Sequence, residues 1–480
     1  MTKPVVVLAT SNGTGMGHLS RQLAVGQALQ EYAEPVYFSL SRAVGVIRHM
    51  DRRGEYAPSR ERAWIPEHIW HNYLRDRLTA FVTETKAEAV VFDGVVPYEG
   101  LLLARAQLPN VRFVWMRRGF WRPGARTTPL AAAPLFDLVL EPGDFAEAGD
   151  TGATADRGDA VRLSPITQLE HLDLLSREEA AAELGLDPTR PTALVTLSSG
   201  VLNDVVTPGA AAVTALLEDP EWQVAVVRSH IAMGRIPLAD ESRCIELAGV
   251  YPLSRYLAAF DAAVAAGGYN SVHELLTAGI PTLFVPNPTS GTDDQPARTR
   301  WLADQGFARY ADAAQLDDVR TQARALHDEQ ERERLRKACA GLPKPEGSVQ
   351  TAEQIADLLK REPREVKQAA FRRLRAKSAV VRAIGPKGMA IAKKALRRPP
   401  ATGPTTRLPV AVVTDPVDGS DDAAPATPPG VRLVRMTEDF DPVRQSSDPV
   451  EHLIAGASAE YRHRRQAILR RYYDVRAIGA

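Results

Sequence analysis

The 480-residue chain carries 59 Lys and Arg against 59 Asp and Glu, so no excess of positive charge marks it for nucleic acid. Its two cysteines, Cys244 and Cys339, show no metal-ligand pairing, which argues for a reducing compartment and against disulfides or a structural zinc. No run nears the roughly 18 apolar residues that span a bilayer, and no charged-then-apolar leader opens the chain, so a cytoplasmic protein with room for two core-forming domains is expected.

From residue 1 to about 145, short apolar or β-branched runs alternate with helical stretches. Strands are predicted at 5–9, 36–40, 89–92, 111–115 and 138–140, the pattern of an open parallel sheet with helices on both faces. The first strand enters a turn-rich segment, 10–17, and then a helix from His18 to about Gln30. A dinucleotide fold is a weak reading of that turn. Gly13, Gly15 and Gly17 are spaced G-x-G-x-G, and no acidic residue ends the second strand. Asp93 closes the third strand and precedes Gly94, which suits either a strand-end turn or a functional carboxylate. After the fourth strand, Arg117, Arg118 and Arg122 interleave with aromatics. Guanidinium forks suit phosphate and aromatic faces suit sugars, so Arg117 and Arg118 are candidate acceptor-binding residues; a solvated loop packing its tryptophans on the core is the other reading. A polar segment, 143–159, marks an interdomain hinge. Alternation resumes with strands predicted at 193–197, 223–227, 244–247, 262–266 and 282–285. The expected layout is a domain over 1–160, a nucleotide-sugar domain over 161–360, and a cleft between them at the strand ends.

Residues 262–295 carry most of the chemistry. The apolar run 262–266 ends in Gly267-Gly268, which permits a tight turn and close approach of a ligand. Asn270 and Ser271 stand where a helix begins, with its free N–H groups and positive dipole end facing the turn, an arrangement that suits a diphosphate. Glu274 lies one turn on, where a carboxylate can accept two hydrogen bonds from a ribose diol or form a capping box with Ser271. The loop after the next strand ends in Asp293-Asp294-Gln295, polar groups suited to sugar hydroxyls or to capping the following helix. Ser199 and Gly200 close an earlier strand in the same manner, and Arg228, at the end of another, offers a cation or a surface ion pair.

Gly268-Tyr269-Asn270-Ser271, Glu274, Gly279-Ile280-Pro281 and Asp294-Gln295 resemble the donor signature of inverting GT-B glycosyltransferases. That group includes UDP-sugar transferases of natural-product metabolism and the bacterial enzyme that adds N-acetylglucosamine to a lipid-linked peptidoglycan precursor. The resemblance implies two Rossmann-like parallel-sheet domains facing across a cleft. It also implies that Gly267, Gly268, Asn270, Ser271, Ser199 and Gly200 hold the diphosphate, Glu274 the ribose, and Asp294 and Gln295 the sugar. Main-chain groups near Val250 would face the nucleobase. The run Gly15-Met16-Gly17-His18-Leu19-Ser20-Arg21 resembles the acceptor-side loop of the same family, with Gly15 and Gly17 against the acceptor. His18 is then the candidate general base, since imidazole can deprotonate an acceptor hydroxyl near neutral pH, and Asp93 either orients it or takes that place. Many natural-product members carry a histidine where this chain has Ala266, which leaves the lipid-linked branch no more distant. No Asp-x-Asp metal motif stands beside the turn, so a transfer without metal or cofactor is expected. A sugar-nucleotide epimerase of the same fold, and a non-catalytic sugar-nucleotide scaffold, are the alternatives.

Residues 361–398 hold thirteen Lys and Arg against two Glu, with apolar residues at roughly helical intervals. Such a segment can lie on an anionic membrane surface, making the protein peripheral, or pack back on the body. Residues 399–430, rich in Pro, Ala, Thr and Asp, are expected to be a disordered linker to a helical tail over 431–480.

Overall fold

The computed structural model describes residues 2–11, 16–50, 53–60, 67–200, 203–229, 234–365, 371, 410–414, 432–436, 458–472 and 475–477. The first sheet is parallel throughout and contains β1 (Val5–Thr10), β2 (Glu34–Ser39), β3 (Gly54–Tyr56), β4 (Ala89–Asp93), β5 (Arg112–Met116), β6 (Leu138–Pro142) and β7 (Val161–Leu163). Its order is β3-β2-β1-β4-β5-β6-β7. The first three helices here are α1 (Gly17–Leu29), α2 (Glu67–Thr85) and α3 (Glu99–Gln107). Alternation along β1 divides its side chains between two cores. Val7 and Ala9 join Trp70 and Tyr73 of α2 and Leu101 of α3, whereas Val6 and Leu8 join Leu19 and Leu23 of α1. Gly26 permits α1 to lie this close, since a Cβ there would run into the Tyr37 hydroxyl.

The second sheet, also parallel, has the order β10-β9-β8-β11-β12-β13. Its strands are β8 (Thr192–Thr196), β9 (Gln223–Arg228), β10 (Cys244–Ala248), β11 (Ala262–Ala265), β12 (Thr282–Phe284) and β13 (Arg309–Tyr310). Around it lie α4 (Arg177–Leu184), α5 (Val206–Leu216), α6 (Tyr269–Thr277), α7 (Gln295–Asp304), α8 (Leu316–Arg324) and α9 (Glu329–Cys339). All ten predicted strands are present. The three additional ones, β3, β7 and β13, are edge strands of two or three residues, too short to leave an apolar run in the sequence. In each sheet strand order reverses once beside the first strand of its unit, between β1 and β4 and between β8 and β11. Ligand crevices form at such switch points.

Two returns to the N-terminal sheet depart from the expected boundaries. β7 lies just past residue 160 yet completes the first sheet. α10 (Gly347–Leu359) packs on α1, with Ala352, Ile355 and Leu358 buried in the α1 core. The chain then follows this unit, where Arg112 donates to the Arg361 carbonyl and the Arg364 N–H donates to Asp137. Of the basic segment, all but residues 361–365 and 371 lies outside the described residues. Residues Val410–Thr414, within the stretch expected to be linker, instead form a strand (β14) paired in parallel with Arg432–Met436 (β15) and Val475–Ala477 (β16). The tail contains α11 (Ala459–Tyr472), which docks on α2 and buries Tyr461, Ile468 and Tyr472. No helix among the described residues is long and apolar enough to cross a membrane.

Glu55 on β3 anchors α11. Its buried carboxylate pairs with Arg77 of α2 and, at 2.8 Å, with Arg465 of α11. Burial alone would raise its pKa, but the two guanidinium groups hold it below the ordinary glutamate value. The hinge segment is tied to the second unit as firmly. The buried imidazole of His273 accepts from Phe145 N–H through Nε2 at 3.1 Å, and Nδ1 lies 2.6 Å from the Tyr269 carbonyl. Burial pushes the His273 pKa down to about 4 from 6.5, more than nearby Asp144 restores.

Replacing Glu55 with Ala strands two buried guanidinium groups and is expected to lower unfolding stability by about 3–5 kcal/mol in urea titrations; an unchanged midpoint would show that α11 is not seated there. For His273 the unfolded chain takes up a proton first. Stability is therefore complete above about pH 6.5 and is lost by about 3 kcal/mol as pH falls toward 4. The loss should shrink in His273→Gln when both proteins are unfolded at each pH.

Candidate active site

Parallel register places Thr10, the last residue of β1, beside Asp93, the last residue of β4. Since α1 starts shortly after β1, its first turn is presented to the Asp93 carboxylate. His18 Nδ1 stands 2.7 Å from Asp93 Oδ1. Arg21, one turn later on the same helix face, grips the carboxylate with both arms of its fork, Nε to Oδ2 at 3.0 Å and Nη2 to Oδ1 at 2.7 Å. A carboxylate accepts only, so Nδ1 carries the imidazole proton and Nε2 keeps its lone pair. Burial is the main cause that lowers the His18 pKa; Asp93 opposes it, while Arg21 and Arg118 add to it. Burial would raise the Asp93 pKa, but Arg21 and His18 hold it low. The result is a neutral imidazole beside an ionised carboxylate.

Across the cleft, the turns after β8 and β11 meet because the register pairs Ala265 with Thr196. Ser198 adopts a left-handed φ of 72° and Gly200 one of 68°, which folds the first turn back over the strand ends. The second turn starts α6 at Gly268, where no side chain caps the helix. Its first N–H groups are left for a ligand, with the helix dipole behind them. Gly267 packs underneath, where a Cβ would strike Thr299 of α7. Glu274 is part-buried farther along α6 and accepts from Ser254 Oγ at 2.6 Å. Burial raises its pKa to about 7, against the opposing bonds from Ser254 and the Gln168 N–H.

The two halves enclose one cavity of about 330 Å³. Of the sequence-derived candidates, it brings together Gly17, His18, Arg118, Ser199, Arg228, Gly268, Asn270, Ser271, Glu274 and Gln295. Asp93 stands directly behind His18. Val250 lines the wall near Glu274, and Ala266 lies at the turn. Arg228, whose side chain is half exposed, is 3.8 Å from Glu246. Gly15 lies outside the described residues.

Other expectations need correction. Arg117 does not line the cavity; its buried guanidinium is occupied by Glu141 and Asp159, so it is a structural cation. Asp294 caps α7, accepting from the Ala297 N–H at 3.2 Å, and it is Asp293 that faces the cavity. Gly200 and Gly267 shape the turns without lining the cavity. Asp293 also explains Arg118. The Asp293 carboxylate is held by Arg118 at 3.1 Å and by Arg298 at 2.9 Å, and Arg298 reaches Asp144 of the hinge segment at 2.7 Å. Backbone contacts run alongside, with Trp121 bridged to Asp293 and the Asp294 N–H donating to the Phe120 carbonyl. Of the residues that build the site, Arg21, Ser254 and Arg298 were not singled out in the sequence, and Asp293 was noted there only with its neighbours Asp294 and Gln295. Only Arg21 left a local signal there, its three-residue spacing from His18.

Residues 242–358 match the glycosyltransferase family 28 C-terminal domain, a span containing β11, α6, Glu274 and Gln295. The chain is 32% identical over 177 residues to the UDP-N-acetylglucosamine--N-acetylmuramyl-(pentapeptide) pyrophosphoryl-undecaprenol N-acetylglucosamine transferase of Cutibacterium acnes, covering 34% of this chain and 46% of that protein. It is 38% identical over 141 residues to the enzyme of the same name from a Nocardioides species, covering 27% and 36%. The matches thus span less than half the length of these relatives. Among solved structures, the spinosyn forosaminyltransferase aligns with a TM-score of 0.51 at 16% identity, over 74% of this chain and all of that one. The glycosyltransferase of kitacinnamycin aligns with a TM-score of 0.50 at 16% identity, over 75% and 100%. The fold is that of GT-B glycosyltransferases, the family 28 match lies in the second unit, and the chain resembles the lipid-linked N-acetylglucosamine transferases over about a third of its length.

Proposed function

We propose that this protein is an inverting glycosyltransferase that moves a sugar from a UDP-linked donor to the hydroxyl of a lipid-linked cell-envelope acceptor. The observation that carries the reading is the opposition of two chemistries across one cavity. A neutral imidazole oriented by Asp93 lies on one wall, and an uncapped helix N-terminus with Glu274 behind it lies on the other. The names of the curated relatives support both the UDP-N-acetylglucosamine donor and the polyprenyl acceptor.

In this mechanism His18 Nε2 takes the proton of the acceptor hydroxyl as its oxygen attacks the anomeric carbon. The bond to the diphosphate oxygen breaks on the opposite face, giving inversion. Charge developing on the leaving group meets the free N–H groups of α6, the turn at Ser198 and Ser199, and Arg228, donors already in place before the reaction. Asp93 stabilises the imidazolium that forms and keeps the proton on Nδ1 until then. Glu274 accepts from the ribose diol, and Gln295 and Asp293 stand where sugar hydroxyls would lie. The same cavity walls would serve a silent sugar-nucleotide scaffold, but an oriented base facing the donor turn has no use in one.

The His18→Ala variant is expected to bind UDP as the wild type does, while transfer from UDP-N-acetylglucosamine to a polyprenyl-pyrophosphoryl acceptor falls by about 10²–10⁴-fold. Loss of binding in step with turnover would remove His18 from the base role. Ionised Glu274 accepts more strongly from a diol than the neutral acid does, and its pKa is about 7 in the free protein. UDP affinity measured by calorimetry should therefore rise with pH up to about 7 and weaken roughly tenfold per unit well below it. A Glu274→Gln variant should bind more weakly, with a shallower profile over the same range, the remaining slope coming from the terminal phosphate of UDP, which titrates at about pH 6.

A further inference from the structure

Arg21 is in contact with both walls of the cavity. Its fork occupies both oxygens of Asp93, at 3.0 and 2.7 Å, and its Nη2 comes within 2.9 Å of His18 Nδ1. Two donors, the Arg21 Nη2–H and the His18 Nδ1–H, therefore converge on Asp93 Oδ1, which has lone pairs for both. On its other side the guanidinium stacks on Tyr269, with Cζ 4.9 Å from the ring centroid. Tyr269 is the first residue of α6, the helix whose N-terminus faces the cavity. Its ring is fixed, because the hydroxyl donates to the Gly143 carbonyl at 2.8 Å and accepts from the Ile166 N–H at 3.1 Å.

We propose that Arg21 is a positioning residue for the His18–Asp93 pair, held from the donor side by Tyr269, so that the base is set only when the two domains are closed on each other. This rests on the reading of His18 as the base. A histidine paired with a lone buried carboxylate is drawn toward the imidazolium, which cannot accept a proton. Arg21 cancels that carboxylate charge without displacing the hydrogen bond that fixes the tautomer, so His18 stays both oriented and unprotonated. The charged groups facing the imidazole are Asp93 from β4, Arg21 from its own helix and Arg118 from the loop after β5, and of the two cations Arg21 is the one bound to Asp93. Opening of the cleft would withdraw Tyr269 and free the fork to swing away, and the uncompensated Asp93 charge would then draw a proton from solvent onto His18 Nε2.

The test reads His18 directly. Full-length protein labelled with 15N in its histidines is titrated by NMR, with His18→Gln supplying the assignment, and the midpoint and tautomer of His18 are recorded. In Arg21→Met the midpoint is expected to rise by about one pH unit or more, while Arg21→Lys, which keeps the charge without the fork, rises less and mixes the tautomers. Tyr269→Leu, which leaves Arg21 in place but unsupported, should move the midpoint in the same direction by a smaller amount. A His18 midpoint unchanged in Arg21→Met would overturn the positioning role. An unchanged midpoint in Tyr269→Leu would overturn the link to closure. If Arg21→Met does not fold, Arg21→Lys and Tyr269→Leu decide the question by the same criterion. Because the titration needs neither donor nor acceptor, it stays separate from the transferase reading, which fails on its own terms if UDP and its sugars do not bind.

Discussion

The cleft depends on a buried chain of alternating charges, Arg118, Asp293, Arg298 and Asp144, that passes from the N-terminal unit through the donor loop and back to the hinge. Each of these side chains gives up hydration on burial, so the chain contributes little net stability. What it supplies is geometry. Asp293 is satisfied only where Arg118 of one unit and Arg298 of the other both reach it, and a small opening of the cleft would leave a buried carboxylate short of a partner. The backbone contacts at Trp121 and Phe120 enforce the same spacing. The closed arrangement is thus a single position, and the distance between His18 and the start of α6 follows from it.

Within that frame the two walls differ in how they manage charge. Around His18, Asp93 is neutralised by Arg21, so the imidazole meets little net charge and stays unprotonated. On the α6 side the lining carries Arg228 and Asp293 as fixed charges, and the peptide dipoles at the helix N-terminus would add attraction for an anion. The arrangement suits a ligand whose negative charge grows during reaction, since donors that need no rearrangement stabilise that growth most effectively. Glu274 is a part-buried carboxylate that accepts from Ser254, and its pKa of about 7 records the cost of ionising it there. A diol would offset that cost by supplying two donors to the same group.

The strands were legible because a buried parallel sheet leaves runs of Val, Ala and Leu that few other structures produce. Edge strands β3, β7 and β13 were not, because three residues hydrogen-bonded on one side carry no apolar pattern. The lining of the cavity was legible where it depends on local turn chemistry, as with Gly268, Asn270 and Glu274. It was misread where it depends on which way a side chain points. Asp293 and Asp294 are neighbours of identical chemistry, and only the start of α7 decides that one caps the helix while the other enters the cleft. Arg117 and Arg118 separate in the same way, one pointing to Glu141 inside its own unit and one across the cleft to Asp293. Pairing over more than a hundred residues, as between Asp144 and Arg298, leaves no local trace at all.

Two later helices, α10 and α11, settle on opposite faces of the N-terminal sheet. α10 joins the core with α1, and α11 joins the core with α2. In α11 the buried residues Tyr461, Arg465, Ile468 and Tyr472 follow a helical stripe, while His463, Arg464 and Arg471 remain exposed. The arginines of this tail are therefore not one surface, since Arg465 is drawn inward by Glu55 while its neighbours stay in water. A sheet clamped on both faces is poorly able to flex. The strand that carries Asp93 runs through the middle of it, with β1 on one side and β5 on the other, so motion at the cleft has to come from the second unit moving as a body. Such a motion changes what Tyr269 and Asp293 touch and leaves the distance from His18 to Asp93 alone.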